Sequence, residues 1–221
     1  MSVKSELYRH LARVGRALAS PQRLELLELI CQAERPVEAL AREAGLTVAN
    51  ASQHLRVLLG AHLVETRREG RRVYYRLADR SVSRLWQTLL TLGRQRLAEV
   101  DRLIRDYLES RDRLKPIDAR TLWTRLRSRE VVVIDCRPAE EYSQGHIPGA
   151  LSIPLAELGR RLAELPRDSE IVAYCRGPYC VMASQALEVL HRHGLRARRL
   201  EGGFPEWREA ELPVDVGVAP E

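Results

Sequence analysis

The stretch AYCRGPYCVMAS, residues 173–184, sets Cys175 and Cys180 five positions apart, and these are two of only four cysteines in the chain. Such a pair can form a structural bridge, ligate a metal or supply a reactive thiol. The cysteines at 31, 136, 175 and 180 are too few and too unevenly spread for a secreted disulfide framework. A zinc site has weak support, because four residues separate Cys175 from Cys180 and no second pair is evident. A reactive thiol fits the flanking sequence better. DSEIVAYC reads as a buried strand and VMASQALEVLHRHG as a helix with a glycine stop, so Cys175 ends a strand and a short loop opens the helix. The helix N-terminus and the loop N–H groups favour a sulfur anion there, lowering the thiol pKa and stabilising a thiolate or a persulfide. Arg176 adds a cation, Gly177 frees the backbone, Pro178 restricts it, and Tyr179 completes the loop. The expectation is an accessible Cys175, ionised near neutral pH.

Positioning such a loop takes a sheet. EVVVIDCRP is another β-branched run ending in a polar turn, and strands alternating with helices over residues 117–217 imply an α/β domain with a parallel sheet. In such sheets functional groups collect at the carboxyl ends of strands, where Asp135 and Arg137 join Cys175. A loop that clamps phosphate or arsenate needs an arginine six positions after its cysteine, and residue 181 is Val181. Sulfur is therefore the better reading of the chemistry.

Three segments in order, VIDCRPAEEYSQGHIPGALSIP, IVAYCRGPYC and EGGFPEWREAELPV, resemble the markers of a single rhodanese domain across residues 117–215. The resemblance implies that Cys175 is the nucleophile, taking a sulfane sulfur from a small donor (thiosulfate, polysulfide or a persulfide) and passing it to a thiol acceptor or cyanide. It implies that Asp135 and Arg137 orient the loop, that Arg176 helps hold an anionic donor, and that His146 is structural. Cys180 departs from the commoner loop, which often has a polar or cationic residue there. Two readings stay open: Cys180 resolves the Cys175 persulfide, or it is an inert helix-start residue. Cys136 reads as a packing residue.

The first half has a different pattern. Leu7, Leu11, Val14 and Leu18 form one helical stripe, SPQRLELLELI restarts a helix at Ser20 and Pro21, and PVEALAREAG makes a short helix stopped by Gly45. LTVANASQHLRVLLGAHLV follows as the second member of a helix-turn-helix. Val48, Ala51, Leu55, Leu58 and Leu59 are expected inward, while Asn50, Gln53 and Arg56 project outward, with Thr47 and Ser52 beside them for hydroxyl contacts to a duplex. LVETRREGRRVYYRL reads as a hairpin whose tip crowds Arg67, Arg68, Arg71 and Arg72, a repulsion that phosphates relieve. Residues 81–114 hold no proline and suit one long helix, including Leu108, of about 45 Å. Such a helix outruns one small domain and points to a homodimer reading two half-sites.

Residues 5–110 resemble an ArsR-type winged-helix repressor, with TVANASQHLRVL in the place of the recognition helix. Many relatives sense metals through a cysteine pair after the second helix, whereas LELLELICQAERP offers Cys31 alone, most simply a buried apolar residue. Charge agrees with this division. Residues 1–116 hold 22 Lys and Arg against 14 Asp and Glu, a balance of +8, and residues 117–221 hold 14 against 16, a balance of −2. A basic half joined to a mildly acidic one suggests that only the first meets a polyanion.

The expected architecture is thus two domains: a mainly-α winged helix-turn-helix with a β-wing over residues 1–112, and a rhodanese-like α/β domain with a parallel sheet over 117–217. The expected function is a DNA-binding regulator, a repressor in its type, whose Cys175 senses or transfers reactive sulfur. The alternatives are a sulfurtransferase that uses the winged helix as tether or dimeriser, and a metal or metalloid sensor. Neither a metal nor a cofactor is expected. The charged MSVKSELYRH start and the lack of an apolar run near 20 residues point to the cytoplasm and to no membrane partner.

Overall fold

The computed structural model describes residues 2–107 and 114–217, and the chain divides into two compact units, Met1–Leu90 and Thr91–Glu221. In the first unit α1 (Val3–Leu18) starts at Ser2, whose hydroxyl accepts the Ser5 N–H. Pro21 opens α2 (Pro21–Gln32), as its fixed φ favours. A two-residue strand β1 (Arg35–Pro36) leads into α3 (Val37–Glu43), which ends where Gly45 takes φ +63°. Thr47 caps α4 (Val48–Gly60) by accepting the Asn50 N–H at 3.2 Å. Strands β2 (Val64–Glu69) and β3 (Arg72–Leu77) pair antiparallel through Gly70 at φ +58°, giving the order β1-β3-β2. Leu26, Leu27, Leu40, Leu55 and Leu58 are fully enclosed between these elements. The helix-turn-helix and its wing therefore form as the periodicity predicts.

The long helix does not. It divides into α5 (Arg80–Arg96), inside which the two units meet in sequence, and α6 (Ala98–Tyr107), separated at Leu97. The Leu97 N–H still bonds the Gly93 carbonyl, while the Leu97 carbonyl already accepts the N–H groups of Val100 and Asp101, so one residue ends one helix and starts the next. Arg94 and Asp101 form an ion pair across the break at 3.7 Å. Ile104 of α6 is buried, whereas Leu97 is half exposed. Residues 108–113, Leu108 among them, lie outside the described residues.

The second unit continues with α7 (Ala119–Arg127), capped by the Asp118 carboxylate, then β4 (Val131–Asp135), α8 (Ala139–Gln144), β5 (Leu151–Ser152), α9 (Leu155–Arg161), β6 (Glu170–Tyr174), α10 (Val181–Arg192), β7 (Ala197–Arg199) and α11 (Phe204–Glu209). The sheet is parallel, in the order β5-β4-β6-β7. Strand alternation sorts its two faces. Val131, Val133, Val172 and Tyr174 pack with Leu122, Phe204 and Trp207, while Ile134, Ile171 and Ala173 pack with Leu158, Leu187 and Leu190. The same parity sends Cys136 to the second of these cores.

Candidate functional site

Strands β4 and β6 are adjacent, with Asp135 in register with Tyr174, so the segments that follow both strands emerge side by side. Cys175 follows Tyr174 directly and is 1% exposed. Its loop turns back through a Cys180 N–H to Gly177 carbonyl bond of 3.1 Å, and Cys180 becomes the N-cap of α10 without using its side chain as a cap. The Cys175 Sγ lies 3.5 Å from the Cys180 carbonyl oxygen and 3.9 Å from that of Gly177, contacts in which the thiol donates.

Burial pushes the Cys175 thiol well above the ordinary thiol range, and the hydrogen bond and charge of Cys180 push it the same way; backbone hydrogen bonds at Gly177 and Ala183 act against them. Ala183 is the third residue of α10, where backbone N–H groups have no partner inside the helix. The nearest backbone contacts of the sulfur are thus two carbonyls to which the thiol donates, and the predicted outcome is reversed. Cys175 is enclosed and held as a thiol, because removal from water outweighs the amides. Cys136 is driven up as well, by burial first and then by the charges of Asp135 and Cys180.

Around this loop charge is neutralised in pairs. Arg137 and Asp135 are both fully buried, with Nη2 2.6 Å from Oδ2 and Nε 3.0 Å from Oδ1. Arg137 also donates to the Gly145 carbonyl at 2.7 Å and lies over the Phe204 ring at 4.2 Å. Burial lowers the Arg137 pKa and Asp135 more than restores it, so the guanidinium stays charged. Phe204 in turn gives its N–H to the Cys175 carbonyl at 3.0 Å, which connects Arg137 to the loop. Arg176 differs from expectation: instead of facing a donor, it gives its Nε to the buried Glu141 carboxylate at 2.8 Å. A carboxylate from α8 claims the cation that sequence assigns to an anionic ligand. Of the loop residues Gly177 is buried, Pro178 and Tyr179 half-buried. His146 is buried, stacked on Tyr142 with centroids 3.6 Å apart and bonded from Nδ1 to the Tyr142 carbonyl, a structural setting.

In the first unit Asn50, Gln53 and Arg56 are exposed along α4, with Thr47 exposed at its cap and Ser52 half-buried. Val48, expected inward, is 46% exposed: as the first residue of α4 it precedes the turn that reaches the core. Arg68, Arg71 and Arg72 are exposed at the wing. Arg67 is already engaged, with Glu34 at 2.7 Å and Glu69 at 2.8 Å, and it covers the Tyr74 ring at 4.8 Å. Cys31 is buried in the core of this unit.

Comparison with known proteins matches residues 118–210 to the rhodanese-like domain and residues 20–66 to the bacterial regulatory protein, arsR family. The HTH-type transcriptional regulator Rv0324 of Mycobacterium tuberculosis is 48% identical over 218 residues, which cover 97% of this chain and 94% of that protein. The chain belongs to the ArsR-family regulators that carry a rhodanese-like domain. A sulfurtransferase of Allochromatium vinosum is 37% identical over 107 residues, 48% of this chain and 95% of that protein. The solution structure of the homodimeric winged helix-turn-helix domain, fragment 1–100, of Mb0332 from Mycobacterium bovis is 42% identical, covers 44% of this chain and 90% of its own, and superposes with a TM-score of 0.42.

Two residues of the ArsR–rhodanese regulator's loop site escape a residue-by-residue sequence reading. A Cβ on Gly203 would fall 2.4 Å from the Gly177 nitrogen and 2.5 Å from the Cys175 carbonyl oxygen, so only glycine lets the start of α11 press on the loop. Glu206 accepts the Gly203 N–H at 2.9 Å and fixes that approach. Both lie in EGGFPEW, where the doubled glycine was the available signal. Among the described residues no helix is long and apolar enough to cross a membrane.

Proposed function

We propose that this DNA-binding regulator responds to reactive sulfur, with Cys175 taking up a sulfane sulfur from a small donor and the resulting sulfur state altering operator affinity. The observation that carries the reading is the Cys175 sulfur at the end of β6, in the loop that opens α10, whose first-turn amides have no partner inside the helix. Those groups favour sulfur that bears negative charge, as an ionised persulfide does. Because Cys175 is enclosed, uptake requires the loop to open. Asp135 and Arg137 hold the strand end, and Arg176 keeps Glu141 neutralised.

On DNA, α4 presents Asn50, Gln53 and Arg56 to base edges, with Thr47 and Ser52 beside them, and Arg68, Arg71 and Arg72 reach phosphates. The regulator works as a homodimer: Leu7, Tyr8 and Leu11 of α1 and Leu85 and Leu92 of α5 are apolar and exposed in the single chain. Two copies then read two half-sites about one helical turn apart.

A coupling of about 1–3 kcal/mol between sulfur state and DNA gives about a 5–150-fold change in affinity. Fluorescence anisotropy on an operator selected from random duplexes tests it. Wild type should shift on addition of polysulfide and Cys175→Ser should not; equal binding in all four conditions removes the sulfur-sensing reading. The likeness to the Allochromatium vinosum sulfurtransferase favours a second reading, an enzyme whose winged helix serves as tether. Turnover of thiosulfate with cyanide, with DNA binding indifferent to sulfur, would select it.

A further inference from the structure

Cys180 sits in an unusual position for a helix cap. It occupies the N-cap of α10, where serine, threonine or aspartate would bond the first-turn amides, and its side chain makes no such bond. Its backbone is fixed instead by the Gly177 carbonyl, which folds the loop so that the Cys175 Sγ reaches the Cys180 carbonyl at 3.5 Å. Exposure differs along the pair: Cys175 is 1% exposed and Cys180 half-buried. A thiol acceptor from solution must open the loop to meet sulfur on Cys175. Cys180 is already inside it.

We propose that Cys180 is the resolving cysteine of this site, converting a Cys175 persulfide into a Cys175–Cys180 disulfide and releasing sulfide. The inference rests on the uptake of sulfur at Cys175 proposed above. In the first step Cys175 attacks the sulfane sulfur of a donor RSSH, giving Cys175–S–SH and RSH. In the second, the Cys180 thiolate attacks the inner sulfur of that persulfide. The new S–S bond joins Cys180 to Cys175, the old one breaks, and the outer sulfur leaves with the electron pair as HS⁻. The sum is RSSH plus two thiols giving RSH, one disulfide and H₂S. The two cysteines are oxidised, the sulfane sulfur is reduced, and no further oxidant is needed. An intramolecular attacker held beside its target has a large effective concentration over an outside thiol, and exchange of this kind is ordinary thiolate chemistry.

The product differs from a plain persulfide in its consequence for the fold. A bridge from the end of β6 to the cap of α10 closes the six-residue turn covalently, so the site would report a past encounter with sulfur until a reductant opens it. Cys136 supplies the internal control, since it is a buried thiol on the same side of the sheet as α10.

The full chain is reduced, freed of reductant and treated with inorganic polysulfide without oxygen; remaining thiols are then alkylated and the chain digested with trypsin. Cleavage after Arg176 separates Cys175 from Cys180, so a bridge appears as two peptides held together until reduced. Wild type and Cys136→Ser should both show this link, with sulfide released, and Cys180→Ser should lose it and retain one extra sulfur on Cys175. A wild-type chain that keeps the Cys175 persulfide as Cys180→Ser does, or that links Cys180 to Cys136, overturns the resolving role alone. No sulfur added to Cys175 in any variant overturns sulfur uptake and the resolving role together.

Discussion

The arginines of the wing and those beside the cysteine loop are the same residue put to opposite uses. Arg68, Arg71 and Arg72 stand in water on a two-stranded ribbon, where their charge is screened and costs the fold little. Arg137 has no exposed surface, and Arg176 retains little; Arg137 is matched to Asp135, and Glu141 is shared by Arg176 and Arg137. The wing therefore has cations left over for a polyanion, whereas Arg137 and Arg176 are already committed to carboxylates. An unpaired cation is a means of binding only where water can stabilise it in the meantime.

The contrast breaks most sharply at Arg137. Replacing it with alanine leaves the Asp135 carboxylate buried without its partner, and stability should fall by about 3–5 kcal/mol in chemical denaturation. Arg71→Ala at the wing should stay within about 0.5 kcal/mol of wild type. Comparable losses at the two positions would mean that the buried pair is worth no more than surface charge.

A smaller loss is expected at Gly203. A methyl group there meets the Gly177 and Cys175 backbones rather than a flexible side chain, so the strand–loop–helix junction has to move. Gly203→Ala should cost about 2 kcal/mol and speed alkylation of Cys175 by loosening its enclosure. Unchanged alkylation would show that α11 does not keep the loop closed.

For the wing, the sharpening measurement is salt dependence. Removing one cation that neutralises a phosphate lowers the slope of log affinity against log salt by about 0.9. The triple variant Arg68→Ala, Arg71→Ala, Arg72→Ala should flatten that slope by up to about 2.7 units per protomer, about 5.4 for a homodimer on two half-sites. Arg67→Ala should flatten it less, because Glu34 and Glu69 already balance that charge. An Arg67 effect equal to the others would show that the ion pairs give way to DNA.

Why sequence foresaw the wing and misjudged the loop follows from the range of the interactions. The hairpin, the α4 cap at Thr47 and the Gly45 stop are set by neighbours within a few residues, and periodicity displays them. The two-residue strand β1 exists only because β3 pairs with it some 40 residues later. Arg176 is claimed by Glu141, 35 residues earlier in the chain. The break at Leu97 has no proline to announce it, and Ile104 is buried while Leu97 and Leu103 stay exposed. Local signals located Cys175 at its strand end, whereas its enclosure goes with α11 pressing on the loop through Gly203. Depth, in turn, decided the sign of its pKa shift.

That sign makes the last and smallest prediction. Burial raises the folded-state pKa of Cys175 and of Cys136, so each holds its proton in the native chain after an unfolded thiol has released it at about pH 8.5. Between the unfolded and the folded pKa the native state binds more protons, and stability falls as pH rises. The stabilising contribution is fully present below about pH 8.5 and is lost above it, by up to about 1.4 kcal/mol per pH unit for each thiol. Denaturation at steps from pH 7 to 10 should show that decline, and Cys175→Ser should make it shallower. The triple wing variant leaves both buried thiols in place, so it should follow the wild-type curve. A decline unaffected by Cys175→Ser would place its origin outside the loop and remove the argument that enclosure, rather than the amides, sets the resting state of this sulfur.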